Sequence, residues 1–259
     1  MTKSLIIDEL NLIELTCSRF REDSEVRRLE SKVGKNVLVS RRLRELLGRA
    51  SDARELTLGA VDVVLPRMNF AATDGPRWAR PGFDEAVGTY TPSLATYLDF
   101  GSIGKAYAAD TIASLLTHWV GAGVLVNFGG DICIAGAVPN GGWNVAIEDG
   151  TDRRESVVSL RSGALATSST RKRIRIDALG ESQHHIMDPR TGLTPTSSWT
   201  DVSVVAGDCV SANAYATGAI VMGSAAPDFL AQRRVAARLV ADDGQVCCVG
   251  GWPAESQAA

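Results

Sequence analysis

The sequence predicts an α+β protein, a mainly antiparallel sheet with flanking helices, forming a single domain over residues 1–259. Three observations predict it. Strand-like segments come in runs and do not alternate one for one with helices, as a doubly wound parallel sheet would require. The helical segments between those runs are few and long, the strongest being KAYAADTIASLLTHWV at 105–120. Near its end the chain reads VAARLVADDGQVCCVGG, two strand patterns around an Asp243–Gly244 turn.

Each element has a local reason. Residues 3–15 carry Leu5, Ile6, Leu10 and Ile13 at helical spacing. SRRLRELLGRAS (40–51) is a second helix, with Ser40 placed to accept from the first free N–H groups. Prolines, glycines and scattered charges make 66–95 a long loop. In the 105–120 helix, Ile112, Leu115, Leu116 and Trp119 form one stripe. VLVNF (124–128) is a short buried strand ended by Gly129–Gly130, and DICIAGAV, WNVAIED and ESVVSL alternate in strand fashion. RKRIRI followed by DALG suggests a hairpin arm, and TDVSVVAG (200–207) is a further strand. SANAYATGAIVMG (211–223) is a helix of small residues suited to close packing.

Composition removes several function classes. The formal net charge of −3 gives no nucleic-acid surface. No apolar run reaches the roughly 18 residues of a membrane span. The start, MTKSLIIDELNLIEL, mixes acids into its apolar stretch and has no cleavage site, which predicts a cytoplasmic protein. Cys17, Cys133, Cys209, Cys247 and Cys248 fit neither a zinc nor a disulfide pattern, so they are expected to be free and mostly buried.

Chemistry is concentrated in a few short stretches. GSIGKA (101–106) has its glycines too close for a P-loop and Ala106 where a magnesium-binding hydroxyl belongs, and GAGVLVNFGG misses the dinucleotide spacing. Lys105, at a helix start after a glycine turn, still suits an anion, although such turns also serve simply as caps. Asp131, after Gly129–Gly130, stands where ligand sites often lie; the ordinary alternative is a tight turn with a solvated carboxylate. The hydroxyls of ALATSST (164–170) fit either a site or local hydrogen bonding at a strand end. HHIMDPRTG (184–192) is a reverse turn by its Asp-Pro and Thr-Gly pairs, yet it also assembles a base, an arginine and a hydroxyl. Asn213 and Thr217, four apart, share a helix face; their oxygens suit a hard cation such as magnesium, or internal hydrogen bonds in a core.

In their order, CSRFREDSEVRRL (17–29), LDFGSIGKAYAAD (98–110), NFGGDI (127–132), LATSST, HIMDPRTGLTP (185–195) and SANAYATGAIVMG resemble the ApbE family of FAD:protein FMN transferases over about residues 8–250. The resemblance implies FAD as substrate, Mg2+ as cofactor, and a flavin-acceptor protein whose threonine hydroxyl receives FMN as AMP is released. It implies His185 and Lys105 as catalytic residues, His185 as base or transition-state donor and Lys105 near the phosphates; His184 is the extra histidine. Asp99, Gly101, Lys105, Gly130, Asp131, Ser168, His185, Asp188, Thr191 and Gly192 would bind the flavin nucleotide, and Gly104, by its carbonyl, with Asn213 and Thr217 would bind the metal. The same site with water as nucleophile would be an FAD diphosphatase.

The chain also departs from the family pattern. Asn213 stands where an aspartate is usual, and an amide oxygen brings no charge to a magnesium ion. The sequence opens almost directly in the first helix, so the usual first strand is expected either to be missing or to lie upstream of Met1; Val61-Asp62-Val63-Val64 replaces a Phe-Asp-Pro-Thr segment, and Ser169 replaces a common glycine. Asn213 and the short start favour a third reading, a non-enzymatic flavin-binding relative.

Overall fold

The computed structural model describes residues 2–67, 82–148, 156–176, 180, 182–253 and 256–257. By internal contacts the chain falls into two units, one of 1–104 with 188–193, the other of 105–187 with 194–259.

The first unit begins with α1 (Thr2–Cys17), which buries Ile13 and Thr16. The short α2 (Glu25–Leu29) starts at Ser24, whose hydroxyl accepts from Arg27 N. β1 (Val37–Leu38) leads to α3 (Arg41–Leu56), capped by Ser40 accepting from Leu43 N as its sequence suggested. The helix runs five residues past the expected end at Ser51. Its apolar stripe continues through Ala53, so Leu43, Leu46, Leu47, Ala50 and Ala53 are all buried on one side.

The stretch 66–95 is not one loop; its residues 68–81 lie outside the described structure. β2 (Val64–Pro66) pairs antiparallel with β5 (Thr96–Leu98), while β3 (Phe83–Asp84) and β1 flank β4 (Thr89–Tyr90). These strands are two or three residues long, too short for a period-2 pattern to show in the sequence.

The second unit carries a six-stranded antiparallel sheet. α4 (Gly104–Val120) starts at the boundary between the units. β6 (Val124–Phe128) and β7 (Asp131–Ala135) form a hairpin over Gly129 and Gly130, whose φ angles of +64° and +96° lie where a side chain would be strained. β8 (Trp143–Ile147) and β9 (Ser156–Leu160) pair with each other and leave the main sheet. β10 (Gly163–Ser169) returns to it beside β7. β11 (Arg175–Ile176) and β12 (Ser182–Gln183) make the expected arm, with 177–179 and 181 outside the described residues. β13 (Trp199–Ala206), α5 (Cys209–Met222), α6 (Ala226–Gln232), β14 (Ala236–Ala241), β15 (Val246–Val249) and β16 (Ser256–Gln257) complete the unit. The sheet order is β15-β14-β13-β10-β7-β6, and β16-β9-β8 is a smaller sheet. Gly244 closes the β14–β15 hairpin, its N–H donating to Ala241 O.

Strand alternation divides the large sheet into two faces. One carries Ile132, Ile134 and Leu165, which pack with Val145, Ile147, Val158 and Leu160 of the smaller sheet. The other carries Ala164, Ala166, Val202 and Val204, all at 0% exposure, and it packs against α5. Small residues on α5, among them Ala212, Ala216 and Gly218, let it lie close to that face, and the helix is buried nearly all round. Asp110 of α4 anchors its start: the carboxylate accepts from Cys209 N at 2.8 Å and Val210 N at 3.1 Å. Among the described residues no helix is long and apolar enough to cross a membrane. None of the five cysteines forms a disulfide; Cys133 and Cys209 are buried, Cys17 and Cys247 half-buried and Cys248 exposed, fewer interior thiols than expected.

Candidate functional site

Register builds the central cluster. Asp131 pairs with Ala166 across β7 and β10, so Asp131, Ala166 and, two residues on, Ser168 share the face under α5. On α5, Asn213 and Thr217 lie one turn apart and meet those strands. Asn213 Nδ2 donates to Asp131 Oδ1 at 2.9 Å, and the Ser168 and Thr217 hydroxyls bond at 2.8 Å. Lys105, in the first turn of α4, brings its Nζ onto Asp131 Oδ2 and donates to Phe128 O at 3.4 Å.

Asp131 is therefore not the solvated turn residue of the simplest sequence reading. Its side chain is 1% exposed against 41% for Lys105, and the lysine compensates an otherwise costly buried charge. Gly130 shapes the turn that delivers it; Gly130 N donates to Asn127 Oδ1 and Gly130 O accepts from Thr167 N. Asn213 Oδ1 is buried and has no hydrogen-bond partner among the described residues. A buried carbonyl left without a partner costs about 1–3 kcal/mol, a cost that a bound water or ligand removes. Among the described residues no three His, Cys, Asp or Glu side chains gather as a metal-binding group. A cation held here would rest on carboxamide and hydroxyl oxygens, donors that suit a hard ion.

The histidines stand on the arm side of the same unit. His185 Nδ1 lies 3.2 Å from Lys172 O. A carbonyl only accepts, so Nδ1 carries the proton and the neutral ring keeps its Nε2 lone pair. Burial pulls the His185 pKa below 6.5; the Lys172 carbonyl opposes this, and the charges of Arg173, His184 and Lys105 add to the lowering. His184 Nε2 faces Pro195 O at 3.2 Å, while its backbone carbonyl accepts from Thr194 Oγ1; burial lowers its pKa as well. Cys133 and Cys209 are poor nucleophiles: burial raises Cys133 to about 12 and pushes Cys209 higher still.

The remaining residues expected at the site belong to the first unit, which takes up the chain again at Asp188. Asp188 is clamped by Arg190, whose Nε and terminal nitrogen reach its carboxylate at 2.8 Å, and Asp188 O accepts from Gly192 N at 2.8 Å. Thr191 Oγ1 accepts from Leu193 N, closing the turn. Asp99 ion-pairs with Arg19 at 3.0 Å and accepts from Gly101 N at 2.8 Å, and Gly104 follows as the first residue of α4. Arg19 and Asp110 were not among the residues singled out in the sequence, whereas Arg190 was noted as the arginine of HHIMDPRTG. Asp110, an acid in the apolar run AYAADTIA, offered the one usable signal.

Gly192 gives a direct test of this packing. Its φ is +72°, and a Cβ there would lie 2.8 Å from Pro66 Cγ. Gly192→Ala is expected to destabilise the protein by about 1–3 kcal/mol through backbone strain and overpacking. Gly59→Ala, with φ +81° and nothing within 4 Å, carries the strain alone. The difference between their denaturant midpoints measures the clash.

The chain thus gathers an ammonium, a buried carboxylate, a carboxamide and paired hydroxyls around one face of α5. The sequence profile of the ApbE family matches residues 2–239, and the chain belongs to that family. The FAD:protein FMN transferase of Treponema pallidum (strain Nichols) is 32% identical over 247 residues, covering 81% of this chain and 68% of that protein. The enzyme of the same name from Salmonella typhimurium is 32% identical over 133 residues, 49% of this chain and 37% of its own length. The crystal structure of the ApbE protein of Thermotoga maritima superposes with a TM-score of 0.80 at 22% identity, covering 96% of this chain and 88% of that one, so the fold is shared.

Proposed function

We propose that the chain is an FAD:protein FMN transferase, moving FMN from FAD onto a threonine hydroxyl of a partner flavoprotein. The observation that carries this reading is the cluster of Lys105, Asp131 and Asn213 beside the Ser168–Thr217 pair, in a member of the ApbE family. In the reaction the hydroxyl oxygen attacks the phosphorus of the FMN half. The bond from that phosphorus to the bridging oxygen breaks, and AMP leaves with the oxygen and its electron pair. The hydroxyl proton passes to His185 Nε2, free because Nδ1 is held by Lys172 O. Lys105 places positive charge where negative charge grows on the phosphoryl oxygens.

Asn213 Oδ1, a buried oxygen without a partner among the described residues, supports magnesium as the fit to this donor set. Asn213 and Thr217 would hold it, and when bound it supplies charge neutralisation on the pyrophosphate. Ser168 keeps the Thr217 hydroxyl in place from below.

The test incubates the purified chain with FAD, with and without Mg2+, beside a flavin-binding domain carrying an acceptor threonine. Magnesium-dependent AMP release, with flavin fluorescence remaining on the denatured acceptor, is the expected result. AMP release with no covalent flavin would replace the acceptor hydroxyl by water. Absence of both would overturn the reading.

A further inference from the structure

A carboxamide at a cation site raises a problem that a carboxylate does not. A carboxylate presents oxygen from either end, whereas a carboxamide presents oxygen from one end and an N–H donor from the other. Only the oxygen can meet a cation. Some neighbour must decide which end of Asn213 faces the ligand.

We propose that Asp131 is a positioning residue that fixes the orientation of the Asn213 carboxamide, so that Oδ1 and not Nδ2 is offered to a divalent cation. The proposal rests on the reading above, that a cation sits against Asn213 and Thr217. An ionised carboxylate only accepts, so it holds the NH2 end of an amide and repels the oxygen end. Asp131 Oδ1 takes Nδ2 at 2.9 Å, which turns Oδ1 of Asn213 away and leaves it buried without a partner among the described residues. Turning the amide over would break that bond and set a carbonyl oxygen against the carboxylate.

Asp131 can act this way because it is itself held. It opens β7 directly after the Gly129–Gly130 turn, its side chain is buried, and Oδ2 is taken by Lys105. With one oxygen on Lys105 and the other on Asn213, it acts through its neighbours and does not reach ligand itself. One buried carboxylate thereby sets both the ammonium and the carboxamide, and sequence separations of 26 and 82 residues are closed by a single side chain.

The experiment is a double-mutant cycle read by Mn2+ binding to the FAD-free full chain, followed by electron paramagnetic resonance. In the native background Asp131→Asn is expected to weaken Mn2+ binding at least tenfold, because two facing amides no longer impose an orientation. With Asn213→Asp both ends of residue 213 are oxygen, so adding Asp131→Asn should change binding less than threefold. An equal loss in both backgrounds would show Asp131 acting only as a nearby charge and would overturn the proposal. Denaturant midpoints of all four proteins identify any variant whose loss is a loss of fold.

A second readout is independent of metal. In protein labelled with 15N at asparagine, the Asn213 side-chain N–H pair, identified by its disappearance in Asn213→Asp, is expected to exchange slowly. Exchange as fast as an exposed amide overturns the orientation. Slow exchange with no Mn2+ bound by the native chain or by Asn213→Asp leaves the amide orientation standing and overturns the cation reading beneath it.

Discussion

Lys105→Ala is expected to damage the fold and the reaction together. The lysine is the cation on Asp131, whose side chain is 1% exposed. Among the described residues, removing it leaves a buried carboxylate with one hydrogen bond, from Asn213, and no counter-charge. Stranding a buried acceptor costs about 1–3 kcal/mol, and more when it is charged. Truncating one member of a fully buried pair reaches about 3–5 kcal/mol. Lys105 is 41% exposed, so water reaches its side of the pair and the lower range applies. A chemical-denaturation midpoint checks this part. In catalysis the loss of one preorganised charge at a phosphoryl centre lowers kcat by about 100- to 1,000-fold. Asp131→Asn with Lys105→Ala separates the two effects. The double variant strands no charge, so most of the stability should return while AMP release stays low.

His185→Gln should abolish most of the chemistry with little effect on stability, since the partly buried His185 ring reaches solvent and is joined to the protein through Lys172 O. Loss of a positioned general base lowers the rate by about 100- to 10,000-fold. Its pH signature is specific. Burial, and then Arg173, His184 and Lys105, hold the folded pKa below 6.5, so the ring is neutral and able to accept a proton at pH 7. In the native protein kcat/KM should fall on an acid limb lying below pH 6.5, and that limb should be absent from the residual activity of the variant. The sign for stability follows from the same shift. Below 6.5 the unfolded chain binds more protons than the folded one, so the contribution of His185 is complete above 6.5 and is lost as pH falls through the folded value. A His184→Gln variant should keep the limb, because that imidazole is engaged at Nε2 by Pro195 O.

These residues also show how far local sequence reaches. The long helices were legible because their cause is local: Ser40 accepts from Leu43 N within its own turn, and the apolar stripe of α3 repeats with the helical period. The β14–β15 hairpin was legible from Asp243–Gly244 for the same reason. The strands inside 66–95 were not, since segments as short as Thr89–Tyr90 are defined by their partners, Val37–Leu38 and Phe83–Asp84, and not by any pattern of their own.

Chemistry divides along the same line. Residue types were readable: a lysine at a helix start, an acid after a Gly–Gly turn, Asn213 and Thr217 one helical turn apart, and a histidine before Asp-Pro. What each side chain faces was not. Asp131 looked like a solvated turn residue and is a buried anion, because the register that sets it beside Ala166 places it under α5. The small residues of 211–223 announced a closely packed helix, but only the sheet beneath it determines that Asn213 meets Asp131 and Thr217 meets Ser168. Periodicity and caps act over three or four residues and are written in the chain directly. Burial, pairing and amide orientation come from contacts across tens of residues, and they exist only once the strands have found their register.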